Sequence, residues 1–184
     1  MPIDELFWRI NYTRYFNPKT KEINLFTNGS LLDEERCEKL LGSKLDLIMI
    51  SVDGGCKEDY EIIRRGLSWN VLLKNISYLI GRKKKLGSKL IIMTAIIPQV
   101  ANQNSVKRYF DLFNAIGVDH VGGSGVNNIG GLIDADSMKL NTQKNVKEDV
   151  NLPCWKVFLD LSIMDSGLAC VCAQDVPGLV VIGD

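Results

Sequence analysis

Apolar positions along this chain follow a helical rhythm and a strand rhythm in turn. Residues 3–16 place Ile3, Leu6, Phe7 and Ile10 at helical spacing, and Pro18 ends the segment. Residues 23–27 (INLFT) read as a short strand broken by Asn28-Gly29. Asp33 is placed to cap a helix that turns Cys37, Leu40 and Leu41 inward and ends at Gly42. Residues 45–51 give a second strand, where the unbroken run Leu47, Ile48, Met49, Ile50 predicts burial on both faces. Ser68 is placed to cap a long helix with Trp69, Leu72, Leu73, Ile76, Leu79 and Ile80 on one stripe, closed by Gly87. A third strand covers 89–97, halted by Pro98. A helix near 105–116 then presents Val106, Tyr109, Phe110 and Phe113, and a short fourth strand covers 118–121. Strands alternating with helices of crossover length predict a parallel α/β sheet.

After residue 130 the rhythm fades into polar sequence, a surface connection over 130–150. Alternation then returns: Val157, Leu159, Leu161 and Ile163 share one face, Asp165-Ser166-Gly167 marks a turn, and a second apolar run ends at Cys170-Val171-Cys172. That pattern predicts a β-hairpin. Folding back would bring Cys154 towards Cys172 at its open end, and two thiolates there make half of a metal site. The expected division is an α/β part over 1–129, a polar bridge over 130–150 and a cysteine-bearing module over 151–184.

Charge and cysteine usage narrow the classes. Lys+Arg and Asp+Glu are both 22, so the net charge is zero and no nucleic-acid or anionic-membrane surface is indicated. Lys83-Lys84-Lys85 reads as the solvated last turn of a helix. No apolar run approaches the about 20 residues of a membrane span, and Met1-Pro2-Ile3-Asp4-Glu5 lacks a signal-peptide pattern. Five unevenly spaced cysteines, an odd number, argue against a disulfide framework and for a reducing cytoplasm.

In parallel α/β folds, ligands gather where strands end. The candidate positions here are Thr27-Asn28-Gly29, Ser51-Val52-Asp53-Gly54-Gly55, residues 99–104 and residues 122–131. Turn chemistry alone accounts for any one of them; four in register are better evidence of a ligand mouth. His120 is the only histidine, so a histidine triad or zinc cluster lacks partners. Gly123-x-Gly125-x-x-Asn128 echoes a dinucleotide fingerprint without its third glycine. Cys37 reads as core, and Cys56 as more exposed but incidental.

Taken together, these stretches resemble radical S-adenosylmethionine (radical SAM) enzymes. Residues 25–32 (LFTNGSLL) and the strand-Ser-x-Asp-Gly of residues 50–54 are similar to that family's third and fourth strands. Arg64-Arg65-Gly66-x-Ser68-Trp69 matches the segment after the fourth, and Asn102-Gln103-Asn104 through Gly117-Val118-Asp119 matches the fifth loop, its helix and the sixth strand. Cys154-x12-Gly167-x4-Cys172, with Asp175, resembles the start of a SPASM module, the auxiliary iron–sulfur part of some members.

The resemblance implies a partial (β/α)6 barrel holding about the last four βα units, followed by a small β-hairpin module. It implies S-adenosylmethionine contacts from Ser51, Asp53 and Asn102, and an auxiliary [4Fe–4S] cluster on Cys154 and Cys172 with Cys170 as a possible third ligand. The implied substrate is a peptide, protein or carbohydrate-like molecule. The base position of sulfatase-maturing relatives is Ala173 here, which leaves Asp175 as the candidate. The C-x3-C-x2-C loop of the catalytic cluster and the Gly-Gly-Glu-Pro-like motif are absent from this sequence. The resemblance places both upstream of Met1, and the later SPASM cysteines beyond Asp184. The expectation is therefore a partial chain, inactive alone, with an exposed barrel edge inviting self-association. The other reading is a non-catalytic metal-binding or interaction module that uses Cys154, Cys170 and Cys172.

Overall fold

The computed structural model describes residues 3–125, 139, 161–164, 166–172 and 180–183. The chain divides into two compact units, Pro2–Gly125, and Met1 with Val126–Asp184. The first contains α1 (Ile3–Phe16), β1 (Asn24–Thr27), α2 (Glu34–Gly42), β2 (Leu47–Ser51), α3 (Lys57–Ile63), α4 (Trp69–Leu86), β3 (Ile91–Ile96), α5 (Val106–Ile116) and β4 (His120–Gly123). Its strands pair in the order β1-β2-β3-β4, every pair parallel. Parallel neighbours need a crossover between them, and the helices supply it. The α/β class and parallel sheet expected from the alternating pattern are present.

Period-2 alternation decides which residues enter the core. Ile48, Ile50, Ile92 and Ile96 are fully buried or nearly so, together with Leu72, Ile76 and Leu79 of α4 and Tyr109 and Phe113 of α5. Each such side chain contributes roughly 1.5–3 kcal/mol of burial. On the opposite face, Phe26, Met49 and Met93 lie in one register row, and Ser51, Ala95 and Gly122 in a row nearer the strand ends. Burial of β2 on both faces is therefore not observed: Leu47, Met49 and Ser51 are half-buried and Phe26 is 65% exposed. The helices' buried residues join only the face that carries Ile48 and Ile50, and an apolar run alone cannot report that.

Two further expectations change at helix ends. Asp33 caps α2 as expected, accepting the Arg36 N–H at 2.9 Å. Ser68 makes no side-chain cap on α4; Glu61 Oε1 accepts the Trp69 N–H at 3.1 Å instead. Glu61 reaches that position from α3, a short helix the periodicity did not reveal because Tyr60 is its one buried residue. β4 begins at His120 rather than 118, because Val118 still serves the end of α5: Gly117 is left-handed (φ 91°) and Val118 N–H donates to Phe113 O.

In the second unit β5 (Ser162–Ile163), β6 (Ala169–Cys170) and β7 (Val181–Gly183) form an antiparallel sheet in that order. Between β5 and β6, Gly167 has φ 90° and its N–H donates to Met164 O, while Met164 N–H donates to Leu168 O. Cys154, Asp175, the arm over 156–160 and all of the 130–150 bridge except Lys139 lie outside the described residues. No helix among the described residues is long and apolar enough to cross a membrane.

Candidate functional site

At the C-terminal end of β2 the chain makes a tightly held turn. Val52 N–H donates to Ala95 O at 2.9 Å, which holds the strand against β3 one residue past Ser51. Asp53 then takes φ 55°, the one positive φ at a non-glycine among the described residues. That conformation costs roughly 1–2 kcal/mol in an L-residue and persists only where its surroundings impose it. The surroundings are explicit. Asp53 Oδ1 accepts the Ile97 N–H at 2.8 Å, and its Oδ2 accepts Arg64 Nε at 2.9 Å and Nη2 at 2.5 Å. Asp53 is 4% exposed, whereas the Arg64 side chain keeps 31% of its surface.

The following glycines allow the close approach. A Cβ on Gly54 would lie 2.6 Å from Tyr60 N, and one on Gly55 would lie 2.0 Å from Ser105 O. Gly55 N–H donates to Ser105 Oγ at 3.1 Å, tying the turn to the start of α5. From the loop after β3, Asn102 Nδ2 donates to Asp53 O at 2.9 Å and to Ile97 O at 3.0 Å, and its Oδ1 accepts the Gln99 N–H at 2.8 Å. Ser51, the third residue of interest here, is half-buried on the face opposite the helices.

The loop after β1 is built similarly. Gly29 is left-handed (φ 75°), Asn28 Oδ1 accepts from Ser30 N–H and Oγ–H, and Asn75 of α4 donates to Gly29 O at 2.9 Å. Ser51 thus ends β2, Asp53 and Asn102 lie in the neighbouring loops after β2 and β3, and Asp53 and Asn102 are bonded to one another. Arg64 went unassigned from sequence. The available signal was a loop aspartate followed by an arginine across a helix too short for periodicity.

Cysteines are distributed unevenly. Cys37 is fully buried with Sγ 3.3 Å from Leu32 O, and burial, aided by Asp33, pushes its thiol up to about 12. It is the inert core residue expected. Cys56 precedes α3, Cys170 is buried in β6 and Cys172 is half-buried. Among the described residues, no three His, Cys, Asp or Glu side chains gather to hold a metal. Cys154 and Asp175 are outside them.

A cleft of about 600 Å³ opens at the other end of the sheet, among Ser43, Asp46, Ser88 and Lys89. Its hydroxyls are committed to local backbone: Ser43 Oγ serves Leu40 O and Leu45 N–H, and Ser88 Oγ accepts the Leu90 N–H.

Residues 1–100 match the profile of the Radical SAM superfamily. The chain belongs to that superfamily. The match covers α1 through β3 and includes the Asp53 turn and Arg64. No curated protein gives a match. Among solved structures, a crystal structure of 2,3-dimethylmalate lyase, a PEP mutase/isocitrate lyase superfamily member, aligns at 12% identity and a TM-score of 0.49. That alignment covers 67% of this chain, which spans 41% of the lyase chain.

Proposed function

We propose that this radical SAM chain is part of an enzyme in which the C-terminal ends of β1 to β4 hold S-adenosylmethionine, with Ser51, Asp53 and Asn102 in the loops that form the mouth. The observation that carries this reading is the Asp53 turn: a buried, left-handed aspartate, braced from two loops, in the segment that matches the family. Strain held this way is concentrated at ligand sites. Of the polar residues there, Ser51 is half-buried and the Arg64 side chain keeps 31% of its surface. A hydroxyl suits the ribose or the methionine amine, and a guanidinium suits a carboxylate. Bound S-adenosylmethionine, reduced at an iron–sulfur cluster, supplies the radical chemistry. The described residues do not assemble three ligands for such a cluster, so the catalytic cluster is not assigned to them.

The proposal extends to the second unit. Cys154, Cys170 and Cys172 are proposed as ligands of an auxiliary [4Fe–4S] cluster in a SPASM-like segment, with Asp175 as the candidate base. The substrate is proposed to be a peptide, protein or carbohydrate-like molecule, in the cytoplasm. Cys170 and Cys172 both lie on or directly after β6, which supports a shared site.

Anaerobic equilibrium dialysis with labelled S-adenosylmethionine tests the mouth. Saturable binding, weakened by Arg64→Gln and by Ser51→Ala, is expected; no saturable binding up to the solubility limit contradicts the reading. Reconstitution with ferrous iron and sulfide should protect Cys154, Cys170 and Cys172 from alkylation. Uptake of zinc alone would favour the non-catalytic metal module, and free alkylation of all three would leave them as plain thiols.

A further inference from the structure

Asn102 is fully buried, and both its amide atoms are used. The loop after β3 already closes on itself, since Asn102 N–H donates to Gln99 O at 3.1 Å and Ser105 N–H to Asn102 O at 3.0 Å. What the side chain adds is a link to a different loop, through the carbonyl of Asp53. The same β3 loop grips the Asp53 carboxylate through Ile97 N–H. Both ends of a residue at φ 55° are therefore held from one neighbouring loop. With Asp53 so fixed, its Oδ2 receives Arg64 on two nitrogens, a fork that sets the guanidinium plane. No described residue bonds Arg64 Nη1.

We propose that Asn102 and Asp53 are positioning residues that act through Arg64: Asn102 pins the Asp53 turn, and Asp53 aims the guanidinium at the mouth. This rests on the strand ends being the ligand site, and it gives Asn102 a role other than ligand contact. A buried amide with donor and acceptor both spent on backbone has nothing left to offer a cofactor. Arg64, partly exposed and held on one edge only, has.

The test reads Arg64 directly, without ligand. In ¹⁵N-labelled protein the Arg64 Nε–H should exchange slowly with solvent, as expected of a donor to a buried carboxylate. Asn102→Ala and the milder Asn102→Ser should each speed that exchange by about tenfold or more, while protection of the β2 and β3 amides stays unchanged. Asp53→Asn should do the same, and Asp119→Asn, at the other end of the sheet, should not. Parallel acceleration of Nε–H and core amides would reduce Asn102 to a general stability role and overturn the proposal. So would unchanged Nε–H exchange in whichever Asn102 variant folds. Because the exchange is measured ligand-free, failure of S-adenosylmethionine to bind sinks the mouth reading and leaves this result standing.

Discussion

The two ends of the parallel sheet use the same bonding device with different results. At the N-terminal end, Asp46 accepts the Ile23 N–H at 2.7 Å and pairs with Arg14, while Asp119 accepts the Ile92 N–H at 2.7 Å and pairs with Lys83. At the C-terminal end, Asp53 accepts the Ile97 N–H and pairs with Arg64. Each is a carboxylate stitching neighbouring strands and holding a cation. Yet the Asp46 and Asp119 side chains are 39% and 33% exposed, against 6% for Asp53. Only Asp53 is left-handed, and only its turn needs glycines that admit neighbouring backbone. Solvent-screened pairs on relaxed backbone contribute little beyond closing a strand end. A buried carboxylate on strained backbone costs stability and is kept where geometry matters. The contrast teaches that the C-terminal end is organised for position and the N-terminal end for closure.

The largest expected effect is on the glycine floor. Gly55→Ala drives a methyl into Ser105 O and should destabilise the protein by about 3 kcal/mol or more in urea unfolding. An effect below about 1 kcal/mol would mean the loops can separate and the turn is not rigid. Next come the aspartates. Asp53→Ala, which removes all three carboxylate bonds and leaves alanine left-handed, should cost roughly 2–4 kcal/mol, while Asp46→Asn and Asp119→Asn should each cost about 1 kcal/mol or less. Equal costs at both ends would abolish the contrast.

A smaller effect is in alkaline pH. Burial raises both Cys37, from 9.0, and Tyr109, from 10.0, to about 12 in the folded state. Unfolded chains release these protons first, so stability is intact below about 9 and falls as pH rises towards about 12. Cys37→Ala should blunt the early part of that fall in denaturation measured from pH 8 to 11. Smallest is the proposed self-association at β1, which pairs with β2 alone among the described strands and carries the exposed Phe26. Phe26→Lys should lower the light-scattering mass at high concentration, and a monomeric wild type would contradict the edge contact.

Sequence pattern revealed the elements with long apolar stripes and clear stops, such as α4 with its left-handed Gly87 and α5 with Gly117. It did not reveal α3, whose single buried Tyr60 leaves no period, or the one-sided burial of β2, which depends on where the helices land. For the site, Asp53, Gly54 and Gly55 were visible because turns demand such residues, and Asn102 was visible by position. The cross-loop bonds were not, because they join residues 49 and 44 positions apart. Nor could sequence show that the Asn102 amide is bonded to Asp53 O, Ile97 O and the Gln99 N–H, or that α3 turns Arg64 back to pair with Asp53.

The central claim is that ligand chemistry belongs to the C-terminal end of this sheet. Titrating ¹⁵N-labelled protein with S-adenosylmethionine under anaerobic conditions tests it most directly. Shifts should concentrate at Gly54, Gly55 and the Arg64 Nε–H, with Asp46, Ile92 and Asp119 unmoved. No shifts at all, or shifts centred on the Asp46 and Asp119 end, would contradict it.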